Sequence, residues 1–265
     1  MRQLVINADD FGFTRDVNAG IVHAHREGVL TSTTLMANGD AFDDAVRLAR
    51  ETPGLDIGCH LVLVQGASLL TGRPFPETPR GVVAALVRRR LDVYAELRAQ
   101  IERIIAAGIS PSHLDSHKHT HIVPSVFKVV IQLAQEFQIP FVRLPLDRTA
   151  PFGRFPCELA DPLYRRMGQR RGVRMTDHFI GFRLTGTLDE QSFAEALTTV
   201  DEGTTEFMCH PGYLETELAN APTRLKESRL RELEALTSPR IRKSISQAGI
   251  KLTTFRALAR NIGPG

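Results

Sequence analysis

The stretch Leu4-Val5-Ile6-Asn7-Ala8-Asp9-Asp10-Phe11-Gly12 decides how the rest of the chain is read. It opens as an apolar, β-branched run, the pattern of a strand buried in a sheet. It closes on two adjacent carboxylates and a glycine. Two like charges at the end of a buried strand are costly unless a cation, an arginine or a shared proton meets them. Capping of the next helix explains one aspartate and leaves the other without a reason. A functional site at the strand end explains both.

Outward from this stretch, strand and helix patterns alternate. Apolar residues at helical spacing predict helices over 17–27 and 41–51, ended by Gly28 and by Pro53-Gly54. β-Branched runs predict strands over 31–36 and 55–64. Residues 65–80 carry glycine, proline and threonine without a period and read as a loop long enough to be functional. A continuous helix is expected over 82–107, and another from Pro124, an N1 proline, to 137. Strands follow at 139–145, 176–184, 206–209 and 250–253, with helices over 187–200, 224–236 and 239–249. Thr187 and Glu190 have capping-box spacing. Residues 146–172 read as irregular and basic. Repeated strand–helix alternation predicts one catalytic domain over 1–265. Its fold class is α/β, a (β/α) barrel-like sheet of seven or eight mostly parallel strands with outer helices; a doubly wound open sheet is the second choice.

Composition narrows the class. The chain is 42% hydrophobic and 24% charged, with net charge +3, which fits a soluble globular protein. The arginine clusters at 88–90, 165–166 and 170–171 lack interleaved aromatics, so they read as solvated faces rather than a nucleic-acid surface. Cys59, Cys157 and Cys209 are widely spaced and form no C-x-x-C pair, which excludes a cysteine zinc site and fits a reducing compartment. No leader-like apolar segment and no bilayer-length run is seen, so a cytoplasmic location is expected.

Parallel α/β folds place their sites beyond the carboxyl ends of the strands. The predicted strand ends carry Asp9 and Asp10, then His60, then Asp115 and His117, then Arg143 and finally His210. All of them therefore point to one rim. The segment from His113 to His121 holds four of the nine histidines. Period two puts His113, Asp115 and His117 on one side of an extended chain, while His119 and His121 either follow or leave at a turn. Cys59 and Cys209 neighbour His60 and His210, so they face the opposite side and read as packing residues. Two imidazoles and one carboxylate make an open three-ligand set suited to zinc and less to magnesium, which prefers oxygen.

The motifs Asn7-Ala8-Asp9-Asp10-Phe11-Gly12, Thr31-Ser32-Thr33-Thr34, Gly58-Cys59-His60, His113-Leu114-Asp115-Ser116-His117-Lys118-His119 and Cys209-His210-Pro211 occur in that order. Together they resemble the YdjC-like carbohydrate deacetylases, a group with chitooligosaccharide and hopanoid-associated branches. The resemblance runs from Leu4 to about Leu252. It implies a barrel-like fold, one divalent metal ion (zinc first, magnesium as the alternative) and hydrolytic removal of acetyl from an N-acetylated sugar. Carried over by position, Asp10, His60 and His117 would be metal ligands, Asp9 the general base and a protonated His210 the general acid. The reverse assignment of the two aspartates stays open. Arg143 would orient an aspartate, and Asp115, His113 and His119 would support the site or touch substrate. A homodimer is also compatible with the family. Lys118 stands where chitooligosaccharide-type members carry a further histidine, so the sugar is left open. The alternatives are a metal-dependent barrel phosphoesterase or lyase on the same rim, distinguished by two ions per chain, and a non-catalytic sugar-binding module.

Overall fold

The computed structural model describes residues 1–147 and 154–260, the first six of the second segment as backbone only, so Cys157 lies outside the described side chains. The chain runs β1 (Arg2–Phe11), α1 (Arg15–Arg26), β2 (Ser32–Leu35), α2 (Phe42–Arg50), β3 (Asp56–Leu61), α3 (Pro79–Val87), α4 (Val93–Ala106) and β4 (His113–Ser116). A 3-10 turn (His117–Ile122) leads to α5 (Pro124–Glu136), β5 (Phe141–Val142), α6 (Arg154–Gln169), β6 (His178–Ile180), α7 (Glu190–Leu197) and β7 (Gly203–Cys209). The chain continues through α8 (Thr216–Asn220), α9 (Glu227–Thr237), α10 (Pro239–Gln247), β8 (Lys251–Leu252) and α11 (Phe255–Arg260).

The strands lie in the order β5-β4-β3-β2-β1-β7-β6, with β8 on the start of β1. Every pairing between them is parallel. The sheet curls until its two ends meet at one bridge, Phe141 to Arg174, so the barrel is incompletely closed. Alternation along β1 sorts its side chains. Leu4, Ile6 and Ala8 join the large core shared with the helices, while Val5 packs inward with Phe141, Phe255 and Leu258. Asn7 and Asp9 continue the inward row above that small apolar floor. Fully buried Glu206 lies opposite Val5 in the parallel register, so a charged residue projects into the barrel from β7.

Four expectations from sequence are corrected here. The helix over 82–107 is two helices: Arg89 takes a left-handed φ of 52°, and the Asp92 side chain caps α4 by accepting from the Ala95 N–H at 3.0 Å. Residues 146–172 are not irregular throughout, because α6 forms despite Pro162 inside it, the residue that hides its helical character. The strand over 139–145 shrinks to Phe141–Val142 between Pro140 and Pro145, which have no N–H for a ladder. The capping box of α7 uses Asp189 and Ser192 rather than Thr187 and Glu190. Among the described residues no helix is long and apolar enough to cross a membrane.

Candidate metal centre

The end of β1 does something that a regular strand cannot. Successive strand residues face opposite sides, so Asp9 and Asp10 should diverge. Asp10 instead adopts φ 71°, a left-handed conformation uncommon outside glycine. Both carboxylates then line one cavity of about 570 Å³. The turn is braced by Asn18, whose Oδ1 accepts from the Gly12 N–H at 2.6 Å while its Nδ2 donates to the Ala41 carbonyl. Gly12 has φ 96°, and a Cβ there would press on Leu35 and the Met36 carbonyl at 3.2 Å.

His60 and Asp115 are register partners on β3 and β4. His60 Nδ1 donates to Asp115 Oδ1 at 2.7 Å, and Thr34 Oγ1 donates to Asp115 Oδ2 at 3.0 Å. That bond leaves His60 Nε2 facing the cavity, 3.3 Å from Asp10 Oδ1. His117 lies one residue beyond β4, in the 3-10 turn. Its Nδ1 is 3.0 Å from the same Asp10 oxygen and 3.4 Å from His60 Nε2. Asp10, His60 and His117 thus bring one donor atom each within 4.8 Å of one another, a group able to hold a metal ion. Asp10's other oxygen is engaged by the Arg229 guanidinium at 2.5 Å.

Asp9 is held differently. Arg143 donates to both its oxygens at 2.7 Å, and Asn7 Nδ2 adds a bond at 3.0 Å. Burial opposes ionisation of Asp9, but the Arg143 guanidinium outweighs it and keeps the carboxyl well below the usual range. The same guanidinium reaches Asp115 at 2.8 Å and Glu206 at 2.7 Å. One buried cation therefore serves three buried carboxylates. Glu206 shows the consequence: burial, against the pull of Arg143, pushes its carboxyl up to about 7. For His60, burial opposes the charged form, yet Asp115, Asp10 and Asp9 prevail and raise the imidazole to about 10.

His210 follows β7 and lines the cavity opposite these groups. Its backbone N–H donates to Glu232 Oε2 on α9. Burial, against the pull of Asp9 and Asp10, pushes its imidazole down to about 4, so the ring is neutral at rest.

The structure gathers Asp9, Asp10, His60, His117, His119 and His210 around the cavity. Asp115 and Arg143 stand directly behind it. His113 does not line it; fully buried, it stacks on Phe255 at 3.9 Å, and its Nε2 donates to Asn7 Oδ1, the residue that in turn bonds Asp9. His113, Asp115 and His117 meet Asn7, Arg143 and Asp10 in turn and so share the inward side; the extended run ends beyond them, where Lys118 and His119 take φ of 50° and 52°. His121 leaves the site, accepting from Ser116 Oγ and donating to the Arg143 carbonyl at 3.0 Å. Cys59 and Cys209 are buried free thiols in the helix-side core. Sequence reasoning quoted Asn7 and Thr34 within motifs but gave them no role, and it missed Glu206, Arg229 and Glu232. A glutamate inside an apolar strand was a signal for Glu206; Arg229 and Glu232 sit in an ordinary charged helix and gave none.

A curled parallel α/β sheet with two imidazoles and a carboxylate converging at its strand ends defines the class: a barrel-type protein with a candidate mononuclear centre. Within that class, the chain belongs to the YdjC-like protein family, which it matches over residues 3–247. It is 36% identical over 260 residues to a carbohydrate deacetylase of Geobacillus stearothermophilus, covering 96% of this chain and 97% of that one. It is 33% identical over 270 residues to a chitooligosaccharide deacetylase of Salmonella paratyphi C, covering 96% and 98%. A crystal structure from Enterococcus faecalis V583 superposes with a TM-score of 0.82 at 29% identity, over 97% of this chain and 98% of that one.

Proposed function

We propose that the chain is a single-domain, cytoplasmic, metal-dependent hydrolase that removes acetyl from an N-acetylated sugar, with a chitooligosaccharide or a glycolipid-linked amino sugar as substrate class. The observation that carries this reading is the convergence of Asp10 Oδ1, His60 Nε2 and His117 Nδ1 in the cavity that also holds Asp9 and His210. The names of the relatives, carbohydrate and chitooligosaccharide deacetylases, support the substrate class.

The donor set fits a divalent ion. Each of Asp10 and His60 has its second atom engaged elsewhere, by Arg229 and Asp115, so one atom of each is left for the centre. Two imidazoles and one carboxylate favour zinc over magnesium. Asp10 suits the ligand role better than Asp9, both of whose oxygens are bound by Arg143. A bound ion supplies Lewis acidity that polarises an acetamide carbonyl and acidifies water toward a pKa of about 7.

The chain's own residues handle the protons. Asp9, oriented by Arg143 and Asn7, accepts a proton from the water as its oxygen attacks the carbonyl carbon. His210 delivers a proton to the amide nitrogen as the C–N bond breaks, leaving acetate and an amine. Because His210 is neutral at rest, the proton that Asp9 took from water passes to the His210 ring before it goes to the amide nitrogen; Asp9 and His210 return to their starting states and the cycle balances without an outside donor. Asp9, His60 and Asp115 also cluster within 4.8 Å, but Arg143 engages Asp9 and Asp115, which disfavours a second ion and the two-metal phosphoesterase reading. The test is acetate release from N-acetylglucosamine oligomers by protein stripped with chelator and reloaded with zinc. Restoration at one ion per chain is expected; activity undiminished in stripped protein refutes the metal's role.

A further inference from the structure

We propose that Glu232 is a positioning residue for His210, holding its backbone and supporting positive charge on its ring as it protonates the leaving amine. This inference rests on the deacetylase reading above.

Three observations carry it. Glu232 is 1% exposed, and its Oε2 accepts from the His210 backbone N–H at 2.5 Å. The same oxygen is 4.0 Å from His210 Nδ1, an ion-pair distance for a charged ring. Its other oxygen, Oε1, is buried and makes no hydrogen bond of ordinary geometry among the described residues. A buried carboxylate oxygen without a donor is expensive, and in a working site such a cost signals a role. Glu232 is not simply the counterion of Arg229, which is three residues earlier on α9. The Arg229 hydrogen bond goes to Asp10, and its Nε and Nη1 have no hydrogen-bond partner among the described residues.

The chemistry supplies the role. A neutral imidazole carries one proton; an imidazolium carries one on each nitrogen. With Nδ1 beside Glu232, Nε2 is the nitrogen left for the substrate, and the carboxylate stabilises the ring while it holds the extra proton. Helix α9 therefore reaches the site at two points through one face: Arg229 on the Asp10 carboxylate and Glu232 on the His210 backbone.

A leaving-group comparison separates this role from a structural one. An amine cannot depart from an amide unprotonated, whereas 4-nitrophenolate leaves an ester without a proton. Zinc-loaded wild type and Glu232→Gln are compared on an N-acetylglucosamine oligomer and on 4-nitrophenyl acetate. Glutamine keeps an acceptor for the His210 N–H and cannot carry the charge. The expected result is a fall in kcat of about 10–100-fold on the amide at nearly constant KM, and of less than about 3-fold on the ester. Equal losses on both substrates, or none on the amide, overturn the inference. If Glu232→Gln does not fold, Glu232→Asp, which keeps the charge but withdraws it, is read by the same ratio. Wild type that releases no acetate from the amide refutes the deacetylase reading itself, a result distinct from an active enzyme whose variant loses both activities alike.

Discussion

Replacing Glu206 by glutamine should make the protein's stability less sensitive to pH between about 4.5 and 7. Glu206 is fully buried and shares Arg143 with Asp9 and Asp115. One guanidinium cannot neutralise three carboxylates, and Asp9, bound through both oxygens, has first claim on it. Burial therefore raises Glu206 from 4.5 to about 7, with Arg143 opposing the rise. A group whose pKa is higher in the fold than in the unfolded chain favours the fold while it is protonated. That contribution is complete below about pH 4.5 and is lost as pH rises through about 7. At ~1.36 kcal/mol per pH unit, the gap comes to about 3 kcal/mol. The assay is urea unfolding of wild type and Glu206→Gln, both in chelator so that metal binding does not enter, at intervals from pH 5 to pH 8.5. The difference between the two curves isolates this side chain from every other titrating group. Wild type should lose about 2.5 kcal/mol relative to the variant across that span, since part of the gap already lies below pH 5. Curves that stay parallel would refute the argument that one cation is overcommitted among three anions.

The two adjacent aspartates should separate by readout: Asp9→Asn lowers kcat by about 10²–10⁴-fold with zinc content unchanged, whereas Asp10→Asn loses the metal, as measured by elemental analysis of dialysed protein. Arg143→Met, which leaves Asp9, Asp115 and Glu206 buried without their cation, should destabilise the fold by about 3–5 kcal/mol in urea melts or prevent folding. Gly58→Ala should lower the melting temperature, because its Cβ would lie 2.5 Å from the His113 ring and 2.6 Å from the His113 carbonyl; an unchanged Tm would show that β3 and β4 separate more easily than their packing implies.

The alternation of strands and helices, the curled parallel sheet and the row of polar residues at strand ends were all legible in sequence. Burial of β-branched runs and amphipathic periodicity are local properties, and the rule that parallel sheets work at their carboxyl ends turns them into a rim. Asp9, Asp10, His60, Asp115, His117, Arg143 and His210 could be placed on that rim for that reason, and the family resemblance then proposed ligand and proton-carrying roles among them. Other features depend on contacts between residues far apart in the chain. The left-handed turn at Asp10 that lets neighbouring aspartates face one cavity has no signature in Asp-Asp-Phe-Gly, because its strain is held by Asn18 and the Ala41 carbonyl. The sharing of Arg143 among strands β1, β4 and β7 exists only once the sheet curls. Arg229 and Glu232 reach the site only because α9 packs its charged face against the ends of β1 and β7, and no helical periodicity distinguishes a buried ion-paired face from a solvated one. Local patterning determined which residues could act; long-range packing decided which of their atoms are free to do so.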